Sequence, residues 1–234
     1  MKHLTIVLPT VRYKSMYVVE KFVSINGESR RAGQLAVFIR FRGCNLNCSY
    51  CDTRWANTES CPAEEMSPYE IYEYIKSTGI TNVTLTGGEP LIQKDINKLL
   101  NILGEDKELY VEIETNGSVD VSFVKEIKNA PSLTLDFKSP SSGMCDKMVL
   151  ENYKYIDKRD TVKFVCGSKK DLEKAHYIMK KFQLINKCAV YISPVFGKIK
   201  PESIVEFMKE KKLNGVNMQL QMHKFIWAPD EKGV

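Results

Sequence analysis

Short β-rich runs and longer amphipathic runs alternate along the chain. Met16–Ser24, Leu35–Phe41, Asn82–Thr86, Leu109–Glu114, Leu133–Phe137, Thr161–Cys166, Cys188–Ser193 and Val216–Met222 have the length and residue types of strands. Between most of them apolar residues recur at helical spacing, which predicts helices over Ser67–Ser77, Gln93–Leu103, Val121–Lys128, Lys169–Phe182 and Pro201–Lys212. Start signals agree with this. Ser67-Pro68 places a proline at the first helical position, and Asp120 and Ser168 stand where N-caps belong. Strands alternating with helices build right-handed βαβ units, so an α/β fold with a mainly parallel sheet is expected. In a parallel barrel the chemistry collects at the C-terminal ends of the strands. The motifs below all fall at such ends.

A chain of 234 residues with 43% hydrophobic content forms one sizeable globular domain. Disorder, a collagen-like fibre and a small disulfide scaffold are excluded. No internal repeat or low-complexity linker marks a domain boundary. The charge balance, 34 Lys+Arg against 29 Asp+Glu or +5, is mildly basic and leaves anionic ligands unrepelled. The lysine-rich stretch from Lys163 to Lys212 contains no arginine, and its lysines lie at helical spacing opposite Leu172, Ile178 and Phe182. It reads as a solvated helix face, so no nucleic acid is expected as a partner. No apolar run approaches the roughly 18 residues of a membrane span. The N-terminal apolar run Leu4–Leu8 is too short for a signal peptide. A cytoplasmic protein without membrane contact is expected, its seven cysteines reduced thiols or metal ligands.

Spacing singles out three of those cysteines. Cys44, Cys48 and Cys51 form Cys-x3-Cys-x2-Cys directly after the strand Leu35–Phe41. Three thiolates on a four-iron cluster leave one iron without a protein ligand, and that iron can chelate a small molecule. A zinc site with a distant fourth ligand is the alternative. Cys61, Cys145, Cys166, Cys188 or one of three histidines could complete it, although none belongs to a second paired motif. Thr86-Gly87-Gly88-Glu89-Pro90 follows another strand. Its glycines allow close backbone approach and its carboxylate could hold an ammonium group; alone it could equally be a turn.

Phe-Ile-Arg-Phe-Arg-Gly-Cys-Asn-Leu-Asn-Cys-Ser-Tyr-Cys-Asp-Thr (38–53), with Tyr50 just before the last cysteine, resembles the radical S-adenosylmethionine (SAM) superfamily. Thr86–Pro90 resembles that superfamily's SAM-binding loop. The resemblance implies a partial (β/α) barrel and a 4Fe-4S cluster on Cys44, Cys48 and Cys51. It further implies that the open iron binds SAM, which is cleaved to a hydrogen-abstracting deoxyadenosyl radical. Val18–Glu28, Phe38-Ile39-Arg40, Cys51-Asp52-Thr53, Glu114–Gly117, Asp136–Gly143 and Gln221–Lys224 extend the match. Together they resemble the 7-carboxy-7-deazaguanine synthases of queuosine biosynthesis from Met16 onward. Those enzymes contract the ring of 6-carboxy-5,6,7,8-tetrahydropterin and release ammonia. Another radical SAM enzyme, such as a glycyl-radical activating enzyme, shares the cysteine spacing and the length.

Site roles follow from the resemblance residue by residue. Ile25, Asn26, Gly27 and Glu28 would line the pterin, Arg40 would pair with its carboxylate, and Thr86 would touch it. Gly88, Glu89, Asn116, Asp136, Phe137 and Lys138 would meet SAM. Thr53 would give an oxygen to Mg²⁺. Asn26 stands where the family has Gln, and Ser29 replaces the second Gly of Gly-Glu-Gly. Asp136-Phe137-Lys138 stands for Ser-Pro-Lys, so only Lys138 is retained. Residues 1–15 have no counterpart in the family opening and read as a dispensable extension, with residues 16–234 as the radical SAM domain. In short family members a terminal proline near Pro229 contacts substrate, whereas this sequence runs on to Val234. The resemblance also implies a flavodoxin or ferredoxin as electron donor, and a homodimer.

Overall fold

A computed structural model describes residues 16–228 and 231–234. The N-terminal segment 1–15 and Pro229 lie outside the described residues. In chain order the strands are β1 (Met16–Ile25), β2 (Leu35–Phe41), β3 (Glu64–Met66), β4 (Asn82–Gly87), β5 (Tyr110–Thr115), β6 (Ser132–Phe137), β7 (Thr161–Cys166), β8 (Ala189–Pro194) and β9 (Val216–Met218). The α-helices are α1 (Pro68–Ser77), α2 (Ile96–Glu105), α3 (Lys169–Phe182), α4 (Pro201–Lys211) and α5 (His223–Ile226). Among the described residues, no helix is long and apolar enough to cross a membrane.

One sheet holds all nine strands in the order β3-β1-β2-β4-β5-β6-β7-β8-β9. From β2 to β9 every neighbouring pair is parallel. β1 runs antiparallel to both β2 and β3. The sheet is curled: Glu28, just past β1, reaches Lys163 on β7 and Ser193 on β8 across its concave face. β3 and β9 remain as edges, so the barrel is partial. One apolar cluster joins the strands to the helices, with Ile39, Leu85, Ile113, Leu135 and Phe164 meeting Ile71, Leu99 and Ile178.

Local chemistry explains where elements start and stop. α1 opens on a capping box, Ser67 Oγ accepting from Glu70 N (3.2 Å) and Glu70 Oε2 accepting from Ser67 N (2.7 Å). Ser168 Oγ likewise accepts from Asp171 N at the start of α3. α2 begins at Ile96, three residues later than its periodicity suggests, because Asp95 adopts a left-handed φ of 57° after a 3₁₀ turn over Pro90–Ile92. No α-helix forms over Val121–Lys128. Asp120 accepts from Ser122 N (3.0 Å), and only a 3₁₀ turn over Ser122–Glu126 follows. A Cβ on Gly104 of α2 would stand 2.3 Å from Lys128 O, so the crossover is pressed against that helix. The lysines of α3 are solvated as expected, Lys169, Lys170, Lys180 and Lys181 being exposed. Lys163 is the exception: it lies on β7 and is buried.

Candidate active site

The loop that leaves β2 carries the three cysteines, and its neighbours hold it in place. Ser49 donates through N to Ser142 O (3.0 Å) and through Oγ to Ser141 O (2.7 Å). Arg54 Nη2 donates to Cys48 O (2.7 Å), and Tyr50 OH to Val165 O (3.3 Å). The sulfurs also receive N–H donors, Leu46 N (3.4 Å) and Asn116 Nδ2 (3.6 Å) on Cys44, and Asn57 Nδ2 (3.8 Å) on Cys51. Burial pushes the Cys44 and Cys48 thiols up, with Lys138 opposing at both. Among the described residues no three His, Cys, Asp or Glu groups converge as a single metal ion needs. The three thiols instead line one wall of a cavity of about 640 Å³ at the C-terminal ends of the strands.

Thr86–Pro90 meets this loop chiefly through its backbone. Gly88 N donates to Phe41 O (3.1 Å) and Glu89 N to Gly43 O (2.9 Å). The glycines thus serve contact with the end of β2, not only approach to a ligand. Glu89 departs from expectation: its side chain is fully buried and does not line the cavity. Its carboxylate accepts from Leu91 N (3.0 Å), Thr115 Oγ1 (2.9 Å) and Asn116 N (2.7 Å). Burial pushes that carboxyl up against these donors. Glu89 therefore ties β4 to β5 and is not placed to hold an ammonium. Asn116 does line the cavity, but its Nδ2 is held by Asn45 Oδ1 (3.0 Å) and Cys44 Sγ, and its Oδ1 accepts from Ser118 N (2.9 Å). Its side chain organises the cysteine loop.

At the end of β6, Asp136 and, just beyond the strand, Lys138 face the cavity and pair at 2.8 Å. Burial would lower the Lys138 ammonium, yet Asp136 overrides it and holds it up at about 12. Among the described residues Asp136 Oδ1 is buried with no hydrogen-bond partner. Phe137 is a second correction. Alternation along the strand sends its ring to the opposite face, where it packs at 5.5 Å from Phe164 in the core.

Ile25, Asn26, Gly27, Glu28, Arg40, Thr86 and Thr53 all line the same cavity. Thr84 Oγ1 donates to Asn26 Oδ1 (2.9 Å), and among the described residues Asn26 Nδ2 is a buried donor without a partner. Ser29 adopts φ 67°, the left-handed conformation that a glycine would take more freely. Gln219 clamps it there, accepting from Ser29 N (2.6 Å) and donating to Ser29 O (3.3 Å). A Cβ on Gly27 would stand 2.6 Å from His223 Nδ1, so the tail helix α5 needs glycine there. Arg40 Nε pairs with Glu20 Oε2 at 2.8 Å, and Thr86 Oγ1 donates to Glu114 Oε2 at 2.9 Å. Glu20, Glu114, Lys163 and His223, to which the sequence assigns no individual role, also line the cavity. Burial lowers the His223 imidazole, with Glu28 opposing.

The family profile described as the Radical SAM superfamily matches residues 38–210. The chain is 57% identical over 217 residues to a curated 7-carboxy-7-deazaguanine synthase of Clostridium acetobutylicum, covering 93% of this chain and 98% of that one. It is 36% identical over 220 residues to another of Chlorobaculum tepidum, covering 93% and 96%. Its fold is similar to the crystal structure of QueE from Escherichia coli, with a TM-score of 0.71 at 20% identity over 89% of this chain and 95% of that one.

Proposed function

The chain belongs to the radical SAM superfamily and, within it, to the 7-carboxy-7-deazaguanine synthases, and from that premise we propose which groups of the cavity serve each component of the reaction. The enzyme is a lyase that turns 6-carboxy-5,6,7,8-tetrahydropterin into 7-carboxy-7-deazaguanine with loss of ammonia, using SAM and a 4Fe-4S cluster. One observation carries the assignment: one cavity is lined both by Cys44, Cys48 and Cys51 and by Asn26, Glu28 and Arg40.

The cluster and SAM, when bound, supply a radical able to take hydrogen from the substrate. The donor set fits them. Cys44, Cys48 and Cys51 are three thiols with N–H donors on two of their sulfurs, the hydrogen bonding that tunes such clusters. Gly88, its N–H already bonded to Phe41 O, has its carbonyl to offer an ammonium group. The unpartnered Asp136 Oδ1 is suited to a hydroxyl donor, with Lys138 fixing the carboxylate's orientation.

On the substrate side, Asn26 Nδ2 donates to a ring acceptor while Glu28 accepts from the pterin's amino and ring N–H groups. Ile25 and Gly27 shape the wall and Thr86 closes its floor. Arg40 pairs with the substrate carboxylate, since a planar fork suits a carboxylate held away from water. Glu20 on its Nε fixes the fork's direction. Arg40→Lys keeps the charge and loses both the fork and that orientation. We expect substrate KM to rise on the order of tenfold, with visible absorbance and SAM binding intact. An unchanged KM removes Arg40 from the site.

Thr53, whose Oγ1 stands 3.7 Å from Cys51 Sγ on the cavity wall, would give Mg²⁺ one hard oxygen, with substrate oxygens and waters completing an octahedron. Thr53→Val deletes that oxygen and keeps the shape. It should retain the cluster and SAM cleavage and lose most of the Mg²⁺ stimulation of product formation; full Mg²⁺-dependent turnover places the metal elsewhere. The same reading includes an external one-electron donor of the flavodoxin or ferredoxin type and a homodimeric assembly. Anaerobic turnover of reconstituted protein with SAM, reductant, Mg²⁺ and the carboxytetrahydropterin tests the whole. Formation of 7-carboxy-7-deazaguanine supports it. SAM cleavage without ring contraction points to a different radical enzyme.

A further inference from the structure

Lys163 lies in the middle of β7, a strand buried along its whole length, with its side chain 9% exposed on the cavity wall. It donates to Glu28 Oε2 at 3.0 Å. Gln221 Nε2 reaches the same oxygen at 3.2 Å, while Ser193 Oγ donates to Oε1 at 3.1 Å. A carboxylate oxygen offers about two lone-pair sites. Oε2 is therefore filled by Lys163 and Gln221, and Oε1 keeps one site beyond Ser193. We infer that Lys163 is a positioning residue for substrate recognition, clamping the Glu28 carboxylate so that one acceptor site of Oε1 faces the N–H donors of the bound heterocycle. This rests on the assignment of Glu28 to the substrate made above.

The surroundings agree with that role. Burial alone would push the Glu28 carboxyl up, and an un-ionised carboxyl would present a donor where the substrate also donates. Lys163, at ion-pair distance, reverses this and holds Glu28 below its ordinary range, helped by Gln221 and Ser193. His223 on α5 lies within the field of the Glu28 carboxylate. The Lys163 ammonium is disfavoured by burial but held up by Glu28, by Asp136 on β6 and by Glu114 on β5. Glu112 of β5 and Lys138 beyond β6 also lie within its field. Lys163 thus stays charged, which makes it a fixed counter-ion and not a proton donor.

The experiment measures KM and kcat for the carboxytetrahydropterin across neutral pH. It uses reconstituted holoenzyme of wild type, Lys163→Met, Lys163→Arg, Glu28→Gln and the Lys163→Met/Glu28→Gln pair. Lys163→Met should raise KM on the order of tenfold to hundredfold, with a much smaller effect on kcat. Its KM should climb further as pH falls, because a buried Glu28 without its cation takes up a proton, whereas the wild-type KM stays flat. Lys163→Arg should restore part of the affinity. If Lys163 acts through Glu28, the paired variant has the KM of Glu28→Gln alone. A pH-independent KM in Lys163→Met, or a further KM loss in the pair beyond Glu28→Gln, overturns the inference while leaving Glu28 at the substrate. An unchanged KM in Glu28→Gln overturns the underlying assignment instead. Should Lys163→Met fail to hold its cluster, the pair removes both charges together and decides the question by the same comparison.

Discussion

Alanine in place of Cys44, Cys48 or Cys51 is expected to leave the anaerobically reconstituted protein without its broad visible absorbance and to bring SAM cleavage and product formation to background. The loop does not depend on the sulfurs for its shape. Ser49, Tyr50 and Arg54 anchor it to Ser141, Ser142, Val165 and Cys48 O, so each variant should keep the apo fold. Burial holds the Cys44 and Cys48 thiols protonated in the absence of iron. Without metal they therefore act as small apolar groups, and their loss should change apo stability by only about 1 kcal/mol. Stability and iron content thus separate. Cys61 and Cys188 are the controls, since their thiols turn to the carbonyls of Pro62 and Leu184. Cys61→Ala and Cys188→Ala should keep their iron. Equal iron loss in either control overturns the ligand assignment.

Spacing alone pointed to the cysteine loop, because three thiols on one short loop have few purposes. The strand–helix alternation was equally readable, since parallel strands buried on both faces make continuous apolar runs. What escaped were features decided by tertiary contact. β3 is three residues long and exists because β1 offers it a partner edge. β9 stops at Met218 because Gln219 turns in to clamp Ser29. Lys163 was hidden among the lysines that follow it, although a single charge inside Thr-Val-Lys-Phe-Val-Cys is unlike the solvated lysines of α3. Its position in a strand marked it as inward-facing. Phe137 carried the opposite lesson. Period-2 alternation assigns Asp136 and Lys138 to flanking ends of the site while the residue between them goes to the core, and motif transfer overlooked this. Glu89 could not be read without the fold, because two of its three donors, Thr115 Oγ1 and Asn116 N, come from the end of β5 and the residue after it.

Gly88→Ala is expected to be the most damaging single-methyl addition in the molecule outside the cysteine loop. A Cβ there would stand 1.9 Å from Gly43 O, 2.4 Å from Gly43 C and 2.5 Å from Asn57 Oδ1, and two of these are main-chain atoms. Neither can swing aside as a side chain would. To admit the methyl group, the end of β4 must move away from the end of β2, and the bonds Gly88 N to Phe41 O and Glu89 N to Gly43 O stretch together. Overpacking against backbone and the loss of one or two buried hydrogen bonds amount to about 3 kcal/mol or more. For a domain of this size that lowers Tm by roughly 6 to 12 °C. The damage also reaches the chemistry, because Gly43 immediately precedes Cys44 and Asn57 donates to Cys51. Iron uptake should therefore fall with stability, and SAM binding with both. Gly143→Ala provides the contrast: its φ is positive, 75°, unlike that of Gly88, but among the described residues nothing lies within 4 Å of its Cβ. That change should cost about 1 kcal/mol of backbone strain and leave the cluster intact. If Gly88→Ala instead melts with the wild type and takes up full iron, the two strand ends do not approach as described, and the backbone contact between the Thr86–Pro90 loop and the cysteine loop is not what positions them.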